Sequence, residues 1–63
     1  MEWIKISDRK PADGEDVLMC STLRHEIWIG YRVEQGGYSL YHEKETEQMR
    51  EPAYWMPLPT LPK

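Results

Sequence analysis

The chain has 63 residues, a formal net charge of −3 and a single cysteine. That length allows one domain, which buries roughly 60% of its unfolded surface and so has a marginal core. One cysteine excludes an intrachain disulfide, the mild acidity disfavours a general binder of nucleic-acid backbones, and no apolar run approaches the roughly 20 residues of a membrane-spanning helix.

"WIKIS" at residues 3–7 alternates, with Ile4 and Ile6 on one face and Trp3 and Lys5 on the other, which predicts a first strand. Pro11-Ala12-Asp13-Gly14 then reads as a tight turn, because proline presets φ and glycine takes the final or left-handed position. "VLMC" at 17–20 is a short apolar run, expected as a strand buried on both faces.

"EIWIGYRV" at 26–33 is the clearest strand. Ile27, Ile29, Tyr31 and Val33 share one face; Glu26, Trp28, Gly30 and Arg32 share the other. Gly30 marks a bulge or a place where a ring such as Trp28 lies across the backbone. Gly36-Gly37 can supply the two positive φ angles of a primed hairpin turn. That loop pairs Gln35 with Tyr38, Val33 with Leu40 and Tyr31 with His42, so that apolar meets apolar.

"EKETEQMRE" at 43–51 contains one apolar residue, Met49, and therefore no helical stripe. It is expected to be a solvated loop with at most one helical turn, closed by Pro52. Residues 53–56 form a last short strand, and Pro57, Pro59 and Pro62 forbid further ladder donation. The predicted fold is mostly β: one small domain over residues 1–63, with four to five short antiparallel strands in a twisted or partly rolled sheet. A charged segment occupies 43–51 and a stiff Pro-rich tail 57–63. Tyr54 and Trp55 anchor the last strand as a closing clasp, and the prolines, Pro57 and Pro59 among them, hold the tail against Trp3 or Trp28.

Three tryptophans and four tyrosines accompany no phenylalanine. Each such ring carries a polar atom that needs a partner, which suits half-buried positions and interfaces. Both faces of the sheet cannot be buried in a monomer this small, so Trp28, Tyr41 and Tyr38 are left over. Trp28, Arg32 and Tyr41 are accordingly the candidate binding face.

The near-terminal "WIKISDRKP", the "GEDVL" that follows, the central "IWIGY" and the closing "WMPLP" together carry a likeness. From Trp3 to Pro59 the chain resembles the small bacterial and phage proteins grouped as domain-of-unknown-function family 551. The resemblance implies a phage or prophage accessory origin and brings no activity with it. The family often has a histidine directly before the closing Trp-Met-Pro. Here Tyr54 stands there, so a role that needs that imidazole does not carry over. Segment 43–51 corresponds to a family-variable region.

Few residues carry chemistry of their own. Cys20, His25 and His42 are the strong metal donors, short of the four Cys or His ligands of a structural zinc site, so no metal and no cofactor is expected. Cys20 and His25 could meet across a turn as a thiolate–imidazole pair, but no third orienting group or oxyanion site is evident. Carboxylates at Glu15, Asp16, Glu43, Glu45 and Glu47 lie in turns and a polar segment and read as solvated. Pro59-Thr60-Leu61-Pro62-Lys63 has the spacing of a polyproline ligand.

The expectation is a non-enzymatic protein that binds a host protein, with a homo-oligomer interface compatible with the same patch. Two other classes remain. One is a nucleotide-like small-molecule binder with Tyr and Trp walls and Arg24 or Arg32 meeting a phosphate. The other is a single-strand nucleic-acid binder that stacks bases on Trp28 and Tyr41, which the negative charge disfavours. The opening residues lack the basic and apolar regions of a signal peptide, and a cytoplasmic location is expected.

Overall fold

Gly36 and Gly37 set the register of the longest hairpin. In the computed structural model, which describes residues 2–59, their φ angles are 58° and 82°, as a primed two-residue turn requires. The strands are β1 (Ile4–Lys5), β2 (Val17–Ser21), β3 (Glu26–Gln35), β4 (Tyr38–Glu43) and β5 (Tyr54–Pro57). The β3–β4 register pairs Gln35 with Tyr38, Val33 with Leu40 and Tyr31 with His42, as the sequence predicts.

All five strands form one antiparallel sheet in the order β1-β5-β2-β3-β4, open rather than rolled shut, and the described residues contain no helix. The closing segment is therefore an interior strand. Trp55 lies opposite Ile4 of β1 on one side and Met19 of β2 on the other. Pro57 is the last residue of β5, opposite Val17, and without an N–H it donates nothing to the ladder there.

Side chains alternate across a strand, so the registers sort the sheet into two faces. One face carries Ile4, Trp55, Val17, Met19, Trp28, Gly30, Arg32 and Tyr41. It is the core: Val17 and Met19 are fully buried and Trp28 and Trp55 nearly so, with Ile4, Ile6 and Tyr41 packed against them. The other face carries Lys5, Leu18, Cys20, Ile27, Ile29, Tyr31, Val33, Leu40, His42, Tyr54 and Met56, of which Met56 is buried. β2 is thus buried on one face only, a correction to the expectation for 17–20: Leu18 and Cys20 are half-buried on the open side. The reason is that, among the described residues, no second layer lies over that side.

Residues 6–14 cover the inner face. Pro11 is fully buried, and the carbonyls of Arg9 and Pro11 accept hydrogen bonds from Trp55 Nε1 and Arg32 Nε, both 2.7 Å. Asp13 forms a bridge to Arg32, the Gly14 N–H donates to the Arg32 carbonyl at 2.8 Å, and the Glu34 N–H donates to Asp13 Oδ1 at 3.0 Å. Gly14 has φ 77° and follows Asp13 in a turn closed by Glu15 N–H to the Ala12 carbonyl at 3.2 Å. The expected turn is therefore present, shifted by one residue.

Apart from Glu43, which ends β4, segment 43–51 is a loop, as predicted, yet it is not free of the sheet. Met49 bridges to His42, the Arg50 N–H donates to the Tyr41 carbonyl at 2.9 Å, and the Glu43 N–H donates to the Gln48 carbonyl at 2.8 Å. These contacts cover part of the outer edge of β4, an arrangement that blunts edge-to-edge pairing.

Candidate functional site

Trp28, Arg32 and Tyr41 share a face, as the alternation predicts, and Arg32 lies directly opposite Tyr41. That face is the inner one. Trp28 is 7% exposed, which corrects the expectation of a ring left over on the surface. Its plane is covered by the Arg50 guanidinium, 4.3 Å from the ring centroid. Arg50 in turn pairs with Glu26 and, at 3.0 Å, with Glu43. These two carboxylates hold the Arg50 guanidinium in its charged form more firmly than usual.

Arg32 is engaged as well. Besides the Pro11 carbonyl, its Nη1 donates to Ser39 Oγ at 3.4 Å and lies 3.5 Å from Glu34. Its side chain is 12% exposed. Burial pushes the Tyr41 phenol above its ordinary value, against the pull of the neighbouring Arg32 charge. Trp28 Nε1 and Tyr41 Oη are buried without a hydrogen-bond partner among the described residues. The predicted trio is therefore a cation-capped part of the core.

Among the clasp residues, Trp55 does most of the anchoring. It is 4% exposed, and Arg9 lies over its ring at 5.6 Å. Tyr54 is half-buried beside Cys20 and opposite Lys5. Trp3 is 39% exposed. Pro57 and Pro59 are exposed, so they do not seal Trp28, which Arg50 covers instead. The last part of the expected tail, residues 60–63, lies outside the described residues, and with it the polyproline-ligand pattern.

Arg50 escaped the sequence reading, and Pro11 was read as a turn residue rather than as part of the core. Arg50 is one cation in a segment read as solvated; its signal was its position two residues before Pro52, where the chain turns back into β5.

The open face is different chemistry. Ile27 is 66% and Ile29 44% exposed, and Tyr38, part of the expected left-over aromatic set, is 75% exposed at its hairpin end. Tyr31 stacks on His42 with centroids 5.5 Å apart and planes 18° from parallel. None of the strand residues on this face is acidic. The Asp16–Lys44 ion pair, at 3.0 Å, and Glu47 stand at its rim beside Tyr31 and Val33.

Cys20 and His25 line one shallow hollow of this face with Trp3 and Ile27. Burial pushes the Cys20 thiol up, although a backbone hydrogen bond from Tyr54 opposes it, so the thiolate that nucleophilic chemistry needs is disfavoured. Among the described residues no group of three or more His, Cys, Asp or Glu is placed to hold a metal ion, and no helix is long and apolar enough to cross a membrane.

No curated protein and no solved structure matches this chain. Residues 2–63 match the family described as "Protein of unknown function (DUF551)". With essentially its whole length matched, and with its opening and closing tryptophan motifs placed on neighbouring strands of one sheet, the chain belongs to the DUF551 family.

Proposed function

We propose that this protein is a non-enzymatic interaction module and that its contact surface is the outer face of the sheet. The observation that supports this is the exposure of Ile27 and Ile29 on a face whose strand residues include no carboxylate. A contiguous exposed apolar patch usually marks a contact site. The phage or prophage setting implied by the resemblance makes a host protein the target class in this reading. The protein then acts as an accessory factor in the cytoplasm.

No specific observation favours the other two classes. A phosphate ligand at Arg32 would have to displace it from Pro11 and Ser39, and the alternative, Arg24, is an exposed turn residue. Stacked bases would need Trp28, which lies beneath Arg50. The test is affinity capture from nuclease-treated bacterial lysate with wild type and the Ile27→Glu/Ile29→Glu double variant, both checked by circular dichroism. The expected result is a protein retained by wild type and lost by the folded double variant. Retention unchanged by the double variant would refute the assignment of this face.

A further inference from the structure

We infer that the outer face is covered by a second copy of this chain, giving a two-fold dimer of sheets packed face to face. The inference rests on the reading of that face as a contact surface and names its occupant.

Need comes first. A domain is built from at least two layers around each apolar face. Here residues 6–14 supply the second layer on the inner side only. The buried apolar core among the described residues is Val17, Met19, Trp28, Trp55 and Met56. Chains below about 70–80 residues usually add a disulfide, a metal or a partner chain to so small a core. One cysteine excludes the first within this chain, and the described residues offer no donor cluster for the second.

Area is sufficient. The strands contain two, five, ten, six and four residues. Each strand residue covers about 16 Å² of sheet, from a rise of about 3.4 Å and a strand spacing of about 4.8 Å. One face therefore projects on the order of 400 Å², and side-chain relief adds to this. Two copies remove on the order of 1,000 Å², the lower threshold for a specific contact between chains.

Charge and topology select the partner. A chain of net charge −3 repels its own copies unless the contact excludes carboxylates, and this face holds none on its strands. The charges near it stand at its margin: Lys5 on β1, and Lys44 and Glu45 beside Ile27 and Ile29. Sheet extension is hindered, because β1 is two residues long and Gln48–Arg50 line part of the β4 edge. Stacking remains, with the two sheets about 10 Å apart and strands crossing at about 30°. The two-fold axis brings Ile29 and Leu18 of one copy against the same residues of the other. A host target then competes with the second copy for one face.

Sedimentation equilibrium up to about 1 mM tests this, since even a millimolar Kd populates the dimer there. The expected result is a two-chain mass for wild type. Ile29→Glu should weaken association at least about 30-fold, the effect of losing one central anchor, with an unchanged circular dichroism spectrum. The midpoint of thermal unfolding should rise with concentration for wild type and stay fixed for the variant. A dimer untouched by both Ile27→Glu and Ile29→Glu would place the contact elsewhere and overturn the inference. A wild type that stays monomeric also overturns it. In that case binding of the apolar dye bis-ANS to wild type but not to the double variant leaves the contact-surface reading standing, whereas no dye binding removes both.

Discussion

Replacing Trp55 with alanine should remove most of the stability of this chain. The ring is 4% exposed, belongs to the cluster of Val17, Met19 and Trp28, and donates Nε1 to the Arg9 carbonyl at 2.7 Å. A buried tryptophan covers about 150–250 Å², and truncating one to alanine costs about 3–5 kcal/mol. The whole chain, at about 0.05–0.15 kcal/mol per residue, has roughly 3–9 kcal/mol to lose. A urea titration at one fixed protein concentration is the assay. With a slope of about 1 kcal/mol per molar for a chain this small, the midpoint should fall by about 3–5 M. Trp55→Phe separates the two contributions. It keeps an aromatic ring and leaves the Arg9 carbonyl without its donor, at about 1–2 kcal/mol. An alanine variant with a midpoint within about 0.5 M of wild type would show that the closing strand is not an interior strand, and the topology would fall with it.

A Cβ on Gly30 would lie 2.5 Å from the His42 carbonyl oxygen, 3.0 Å from Met19 Sδ and 3.1 Å from Trp28 Nε1. Gly30→Ala should therefore cost about 1–3 kcal/mol as overpacking, read as a drop of about 4–8 °C in melting temperature per kcal/mol; an unchanged melt would refute the close approach. Arg50→Ala should destabilise more than Lys44→Ala, because Arg50 also covers Trp28 whereas the Lys44–Asp16 pair is exposed. Arg50→Lys should fail to restore wild-type stability, since an ammonium cannot reach two carboxylates as a planar fork while stacked on a ring; full rescue would reduce Arg50 to a simple charge. The folded chain holds the Cys20 proton more tightly than the unfolded chain does, so this contribution is complete below the ordinary value of 9.0 and is lost as pH rises through the folded value. Tyr41 acts with the same sign from 10.0 upward. Cys20→Ala should remove the earlier part of the alkaline fall in melting temperature, and a fall identical in wild type and variant would exclude the thiol.

Local rules made the strands legible. The Gly36-Gly37 turn fixed the β3–β4 register to the residue, and Gly30 was identifiable as a site of close backbone approach. The orientation of the sheet was not legible. Ile27, Ile29, Tyr31 and Val33 make an apolar face at period two, and so, by ring area, do Trp28 and Tyr41 on the other side. Alternation shows that two faces exist without saying which is covered. Which face receives residues 6–14 depends on contacts more than 20 positions apart, such as Arg32 with Pro11 and Trp55 with Arg9. No local window contains that information. Arg50 was obscured in the same way, because its partners Glu26 and Trp28 stand 22–24 positions earlier.

The choice of inner face follows from what covers it. A loop is backbone, and backbone laid over a sheet brings N–H and C=O groups that must find partners. An aliphatic face has none to give. Trp55 Nε1 and the Arg32 guanidinium do, holding the Arg9 and Pro11 carbonyls. A ring or stem with a polar tip is thus what a loop can be laid upon, and Trp55 and Arg32 serve in this way, whereas Trp28 Nε1 and Tyr41 Oη hold no loop group. The isoleucine and valine face suits a cover that presents side chains and keeps its backbone paired internally, and another sheet is such a cover. Arg32→Leu tests the rule. It keeps an apolar stem and leaves the Pro11 carbonyl without its donor, and the loss should appear as faster amide exchange at Gly14 and Glu34, the two N–H groups that tie residues 12–14 to β3. Exchange unchanged at both would mean that the loop is held by apolar contact alone, and the division of labour between the faces would need another cause.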